Sequence, residues 1–173
     1  LGELIHNPFV VEKLSESGLG VAESIDEARG SVLIIRSHGV SQRVLKEAEE
    51  KAKIVHDLTC PFVKRLHDVV KAYSEGKKPI IIIGDSLHPE IIGTAGWCEG
   101  EVYIINSKEE VSGLPDDAQN ALVVCQTTLQ PTKWEEIIAE IRNRFPDIQA
   151  KNTICSATHK RQLEAQELAK KAG

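Results

Sequence analysis

The sequence predicts an α/β fold: repeated strand-loop-helix units on mostly parallel, small sheets. Three observations predict it. Short apolar runs such as Ser31 to Arg36 (SVLIIR) and Pro79 to Gly84 (PIIIIG) have the length of buried strands. Amphipathic stretches of helical period alternate with them, as in Trp134, Ile137, Ile138, Ile141 and Phe145. The junctions carry capping and turn residues.

Taken in order, Asn7 caps a first helix with Pro8 at its opening position, and Gly18 stops it after about Ser17. A strand over Ser31 to Arg36 leads through Ser37-His38-Gly39-Val40 to a helix capped by Ser41 and running through Ala52. Lys53 to Leu58 is a strand, Thr59-Cys60 ends it, and Pro61 opens a helix to about Ser74. After the Gly76-Lys77-Lys78 turn come the PIIIIG strand, a loop over Asp85 to Glu90 and a short helix. Glu101 to Ile105 is a strand. Ser107 is expected to cap a short helix, with Glu110 at capping-box spacing. Ala121 to Gln126 is a strand, Thr132 is the expected cap of a helix ended by Pro146, Gln149 to Ile154 is a last strand, and Ser156 to Lys171 a last helix.

The bulk composition is globular: 41% hydrophobic, 27% charged, 21 Lys plus Arg against 26 Asp plus Glu, net charge −5. That balance argues against general nucleic-acid binding, which needs a basic face. An anionic ligand must therefore be held by a local device. No apolar run is long enough to cross a bilayer and no leader peptide is visible, so a cytoplasmic location is expected. In that reducing compartment Cys60, Cys98, Cys125 and Cys155 are expected as buried thiols or soft-metal ligands rather than disulfides. The chain opens at Leu1, contains no Met and stops just after a helical pattern, which predicts a portion of a longer protein.

In open α/β sheets ligands bind outside the carboxyl ends of the strands. The loops there carry His38, Cys60, His88 with Glu90, Thr127 with Thr128, and Cys155, while His6 precedes the first helix. Imidazoles, hydroxyls and helix N-termini suit a phosphate or diphosphate. A lone Glu among them is a candidate proton donor. Two Cys at strand ends suit a soft metal or an iron–sulfur centre, although a Cys there is more often a small buried hydrophobe, and no compact CxxC spacing is present. His56, His67, Cys98 and Cys125 are expected to be structural, and His159 shares a helix face with Cys155.

The local strings are more specific than the spacing. His6-Asn7-Pro8, Ser37-His38-Gly39-Val40, Thr59-Cys60-Pro61, His88-Pro89-Glu90 with Gly93-Thr94, Gln126-Thr127-Thr128-Leu129, and Ile154-Cys155 through Arg161-Gln162 stand in the order of the LytB/IspH reductase family, and together they resemble it across the whole chain. The resemblance implies reductive removal of a hydroxyl from 4-hydroxy-3-methylbut-2-enyl diphosphate, giving isopentenyl and dimethylallyl diphosphates in the methylerythritol phosphate route to isoprenoids. It implies a [4Fe–4S] cluster held by three cysteines, with Cys60 and Cys155 as two of them. His6, His38 and His88, with Thr127 and Thr128, would bind substrate; Glu90 would supply or relay the proton, with Thr127 in the same chain of hydrogen bonds. A ferredoxin or flavodoxin would donate electrons, in a bacterial cytosol.

The family's first cluster cysteine and its late Ser-x-Asn motif have no counterpart within these residues. Ser156 and His159-Lys160 also depart from forms of the third-cysteine motif that carry Tyr and Asn. The family fold is three similar α/β domains. On that pattern residues 1–60 are part of the first, 61–155 the complete middle domain, and 156–173 the opening helix of the third. The chain alone is then expected to be inactive. Two alternatives compete: a non-redox α/β module that binds a phosphorylated ligand and treats the cysteines as core, and a zinc site, which needs four ligands in tetrahedral array.

Overall fold

The computed structural model describes residues 1–5 and 7–172; His6 and the side chain of His159 lie outside that description. Two parallel sheets carry the chain. The first pairs β1 (Val32–Ile35) with β2 (Ile54–Asp57), in register from Val32 opposite Ile54 to Ile35 opposite Asp57, with α2 (Gln42–Lys51) as the crossover. The second has the order β4-β3-β5-β6, from β3 (Ile80–Ile83), β4 (Val102–Ile105), β5 (Leu122–Cys125) and β6 (Gln149–Ala150).

β3 and β5 are the central strands and are buried throughout, which is why they read as unbroken aliphatic runs. One face of this sheet packs Ile81, Ile83, Val123 and Cys125 against Trp134, Ile137, Ile138 and Ile141 of α5 (Pro131–Arg144). The other face packs Ile80, Ile82, Leu122 and Val124 against Leu66 and Val70 of α3 (Pro61–Ser74) and Ile91 of α4 (Pro89–Ala95). Ile80 to Ile83 expose nothing to solvent, and each such burial stabilises by roughly 1.5–3 kcal/mol relative to exposure. A smaller core of Ile25, Leu33, Ile35 and Ala48 supports the first sheet. Helices α1 (Pro8–Glu16) and α6 (Ser156–Ala172) flank the two ends of the chain.

Most boundaries fall where capping chemistry puts them. The Asn7 side chain accepts from the Val10 N–H and the Ser41 hydroxyl from the Val44 N–H. Three expectations are corrected. Thr132 does not cap α5: Pro131 occupies its first position and Gln130 is the extended residue before it, because proline at the opening turn loses no hydrogen bond. Ser107 forms no capping box. Residues Glu109–Gly113 form a 3-10 helix, and Glu110 reaches back to the Asn106 N–H instead. The last strand ends at Ala150 rather than Ile154. There the Thr153 hydroxyl accepts from the Cys125 N–H at 2.9 Å, a side chain taking the place of a ladder carbonyl, and Asn152 turns the chain by accepting from the Ile154 N–H.

The two sheets meet where residues 39–41 pack on α4. The Trp97 indole N–H donates to the Val40 carbonyl at 2.8 Å. Gly96 approaches Ser41 so closely that a Cβ there would lie 2.2 Å from the Ser41 Cβ. This joint brings the carboxyl end of the first sheet beside that of the second.

Candidate active site

Within each sheet the strands run parallel, so the loops that follow them gather at one edge of that sheet. From β3 the sheet grows to β4 on one side and β5 on the other, so the β3–β5 crevice is the switch point of the sheet, where such folds open a binding cleft. Glu90 enters it from the loop and helix after β3, and Thr127 from the loop after β5.

Glu90 is 2% exposed. Its Oε1 accepts the Thr127 N–H at 2.6 Å and its Oε2 accepts the Thr127 hydroxyl at 2.8 Å. Burial pushes the Glu90 carboxyl above the ordinary carboxylate range; the two Thr127 hydrogen bonds and the nearby His88 pull the other way without cancelling it. An N–H can only donate, so Oε1 is held as an acceptor and an added proton goes to Oε2, facing the Thr127 hydroxyl. Once Glu90 holds that proton it donates to Thr127, and the Thr127 hydrogen turns toward whatever lies in the cleft. The arrangement can pass a proton between the Glu90 carboxyl and the cleft through the Thr127 hydroxyl.

His88 stands at the N-cap of α4, and its Nδ1 accepts the Glu90 N–H at 3.1 Å. That role places the proton of a neutral His88 ring on Nε2, a donor. His38 meets the His88 ring edge-on, centroids 5.4 Å apart. Its loop closes with the Gly39 N–H donating to the Arg36 carbonyl. Thr128 is exposed, and its hydroxyl accepts from Gln126 Nε2 at 3.0 Å.

Each candidate metal ligand is tied to this frame through its backbone. The Cys60 N–H donates to the Ser37 carbonyl at 2.9 Å, beside His38, and Cys60 begins α3. The Cys155 N–H donates to the Thr127 carbonyl at 2.7 Å, and Cys155 precedes α6. Both thiols are free, one half-buried and one buried. As free thiols they are soft donors of the kind a thiolate-held iron–sulfur cluster takes. Among the described residues no three His, Cys, Asp or Glu side chains are grouped closely enough to hold a metal ion by themselves.

Thus Glu90, Thr127, His88 and His38 form one contiguous cluster, with Cys60 and Cys155 anchored to its loops. Two residues with no expected role contribute. Gln126, nearly buried, spans the crevice, accepting the Asp85 N–H through its side-chain carbonyl at 3.3 Å while its amide binds Thr128. A polar residue closing an otherwise apolar strand was its signal in the sequence. Asp57 accepts the N–H and hydroxyl of Thr59 and pairs with Lys64 at 2.7 Å, fixing the turn into Cys60. Burial alone would raise the Asp57 carboxyl, but these partners outweigh it and hold it below the usual range. Cys98 and Cys125 lie apart from the cluster: Cys98 turns its thiol to the Gly100 carbonyl, and burial raises the Cys125 thiol beneath Thr153.

The architecture and site define a parallel α/β protein with a buried acid at its switch-point cleft. The family model described as LytB protein matches residues 1–173. The chain belongs to the LytB family. It is 44% identical to the 4-hydroxy-3-methylbut-2-enyl diphosphate reductase of Caldanaerobacter subterraneus over 99% of its own length and 60% of that protein's. It is 42% identical to the reductase of the same name from Clostridioides difficile, over 98% of this chain and 62% of that one. Among solved structures, the E-1-hydroxy-2-methyl-but-2-enyl-4-diphosphate reductase from Plasmodium falciparum superposes with a TM-score of 0.90 at 30% identity, over 98% of this chain and 55% of that one. The chain therefore spans about three-fifths of the curated relatives it matches.

Proposed function

We propose that this chain is the central part of an iron–sulfur reductase that removes the hydroxyl of 4-hydroxy-3-methylbut-2-enyl diphosphate, giving isopentenyl and dimethylallyl diphosphates. The observation that carries the reading is the Glu90–Thr127 pair, a buried acid aimed through a hydroxyl into the cleft, with the Cys155 backbone bonded to the same Thr127.

The net change consumes two electrons and two protons: a C–O bond breaks, the oxygen leaves as water, and the allylic carbon skeleton gains a hydrogen. Glu90 supplies the proton for the departing oxygen through Thr127, whose hydroxyl both accepts from Oε2 and donates into the cleft. His38 and His88, with His6 from outside the described residues, bind the diphosphate as donors, a local device in a chain of net charge −5. Thr128 lines the exposed rim. Cys60 and Cys155 would hold a [4Fe–4S] cluster as two of its three cysteine ligands. The cluster, when bound, supplies electrons and an iron open to the substrate hydroxyl. The same reading divides the chain into part of one domain to residue 60, a complete domain over 61–155 and the start of a third, and it implies a ferredoxin or flavodoxin donor in a bacterial cytosol. No helix among the described residues is long and apolar enough to cross a membrane.

The test is to prepare the full-length parent protein without oxygen and measure iron, sulfide, visible absorption and turnover. Thiolate-iron absorption that is lost in Cys60→Ser and in Cys155→Ser, with turnover lost alongside, is the expected result. A colourless protein that still binds a prenyl diphosphate would replace this reading with a non-redox binding module.

A further inference from the structure

His67 takes no part in the chemistry above, yet its surroundings are unusual. It is 4% exposed and has no hydrogen-bond partner at Nε2. Its ring lies on the Trp97 indole, centroids 5.1 Å apart and planes 19° from parallel. The two rings line a cleft of about 140 Å³ shared with Val40, Thr59 and Lys64.

What this stack touches is the loop that carries His38. Gly39 has φ +71°, and a Cβ on it would lie 2.7 Å from the His67 Cε1 and 2.9 Å from the Thr59 Cγ2. The ring edge of His67 therefore rests directly on the Gly39 backbone. Trp97 holds the next residue by donating to the Val40 carbonyl. The two residues after His38 are thus gripped by a pair of stacked rings from the second unit. A glycine at positive φ is conformationally free unless something packs on it; here a flat ring does so, leaving no room for a side chain at Gly39.

We propose that His67 is a positioning residue of the diphosphate site: stacked on Trp97, it sets the depth of the Gly39 turn and so holds His38 against His88. This rests on the reading of His38 and His88 as diphosphate ligands. A five-membered ring is thin and short enough for this contact, where a longer aliphatic chain would lift the loop and an alanine would let it drop. Burial holds the His67 pKa at about 4, so the wedge stays neutral and adds no charge behind the loop.

Inorganic pyrophosphate binding to the full-length, cluster-loaded protein tests this. His67→Ala is expected to weaken pyrophosphate about tenfold, the size of one lost charge-assisted hydrogen bond, with iron and sulfide content unchanged and KM raised more than kcat is lowered. His38→Ala is expected to weaken binding at least as much, and the double variant no more than His38→Ala alone, because His67 acts through His38. Additive losses, or His67→Ala binding within about twofold of wild type while His38→Ala is impaired, would overturn the proposal. Unchanged binding in His38→Ala would instead remove the diphosphate reading, and this inference with it. If His67→Ala fails to fold, Trp97→Phe, which keeps a ring but loses the bond to Val40, carries the same comparison in the same direction.

Discussion

Thr127 holds both oxygens of Glu90, the backbone N–H on Oε1 at 2.6 Å and the hydroxyl on Oε2 at 2.8 Å, across the crevice between the two central strands. The contact joins residues 37 positions apart in sequence. It gives a buried carboxyl one fixed acceptor oxygen and one oxygen free to exchange a proton.

Replacing Thr127 with Val keeps the N–H contact and deletes the other. Because the hydroxyl bond favours the ionised carboxylate, its loss raises the Glu90 pKa further. A buried oxygen is also left without its donor, at a cost of about 1–3 kcal/mol near neutral pH. Carbon-13 NMR titration of the Glu carboxyls measures the shift. An unchanged Glu90 titration in Thr127→Val would show that the hydroxyl does not stabilise the carboxylate.

Glu90→Gln preserves both contacts, its carbonyl accepting the N–H and its amide donating to the hydroxyl, but cannot deliver a proton. We expect kcat of the full-length enzyme to fall by about 10²–10⁴-fold with KM little changed. In the wild type, burial raises the Glu90 pKa, so the protonated donor persists above the usual carboxylate range. The rate should decline as pH rises through that pKa, and steady-state pH profiles should show the decline absent in Glu90→Gln.

His67 predicts an acid-sensitive contribution to stability. Its pKa is lowered from 6.5 to about 4 because burial disfavours the charged ring. The unfolded chain therefore binds the proton first. The contribution is complete above the unfolded value and is lost as pH falls through this window, a change of about 3 kcal/mol. His67→Phe lacks the titrating group. Urea midpoints of wild type and variant, compared between about pH 7 and about pH 4.5, should show the wild type losing more stability. Parallel pH dependence in the two would contradict the assignment.

The joint between the sheets should tolerate no added carbon at Gly96. An alanine Cβ there meets the Ser41 Cβ at 2.2 Å and its Cα at 3.1 Å, so Gly96→Ala is expected to cost about 1–3 kcal/mol. Gly113→Ala, whose Cβ would meet nothing within 4 Å, is the control and should stay within about 0.5 kcal/mol of wild type. Thermal unfolding of the pair reads the difference, and equal stabilities would mean that the joint adjusts freely.

Much of the site was legible in the sequence, because parallel strands deliver their following loops to one edge whatever lies between them. Reading which residues follow SVLIIR, PIIIIG and LVVC was enough to gather His38, His88, Glu90 and Thr127. Gln126 was legible only as a polar stop to a strand, since its partners, Asp85 and Thr128, are defined by strand pairing. The capping of α5 was misread because Thr132 and Pro131 both fit a helix start, and the proline's fixed φ decided between them.

By itself the sequence determined the α/β alternation, the buried strands, the apolar face of α5 and the set of reactive side chains at the strand ends. These follow from local periodicity and backbone preference, which act within a few residues. Only the tertiary structure decided the strand order β4-β3-β5-β6, and with it which loops share a crevice. It alone paired Glu90 with Thr127, bonded Cys155 to Thr127 and Cys60 to Ser37, and set His67 beneath Gly39. The physical reason is that burial and close approach are properties of surfaces brought together by packing. The same histidine in the same helix is a solvated base or a neutral wedge according to what the far side of the fold lays upon it.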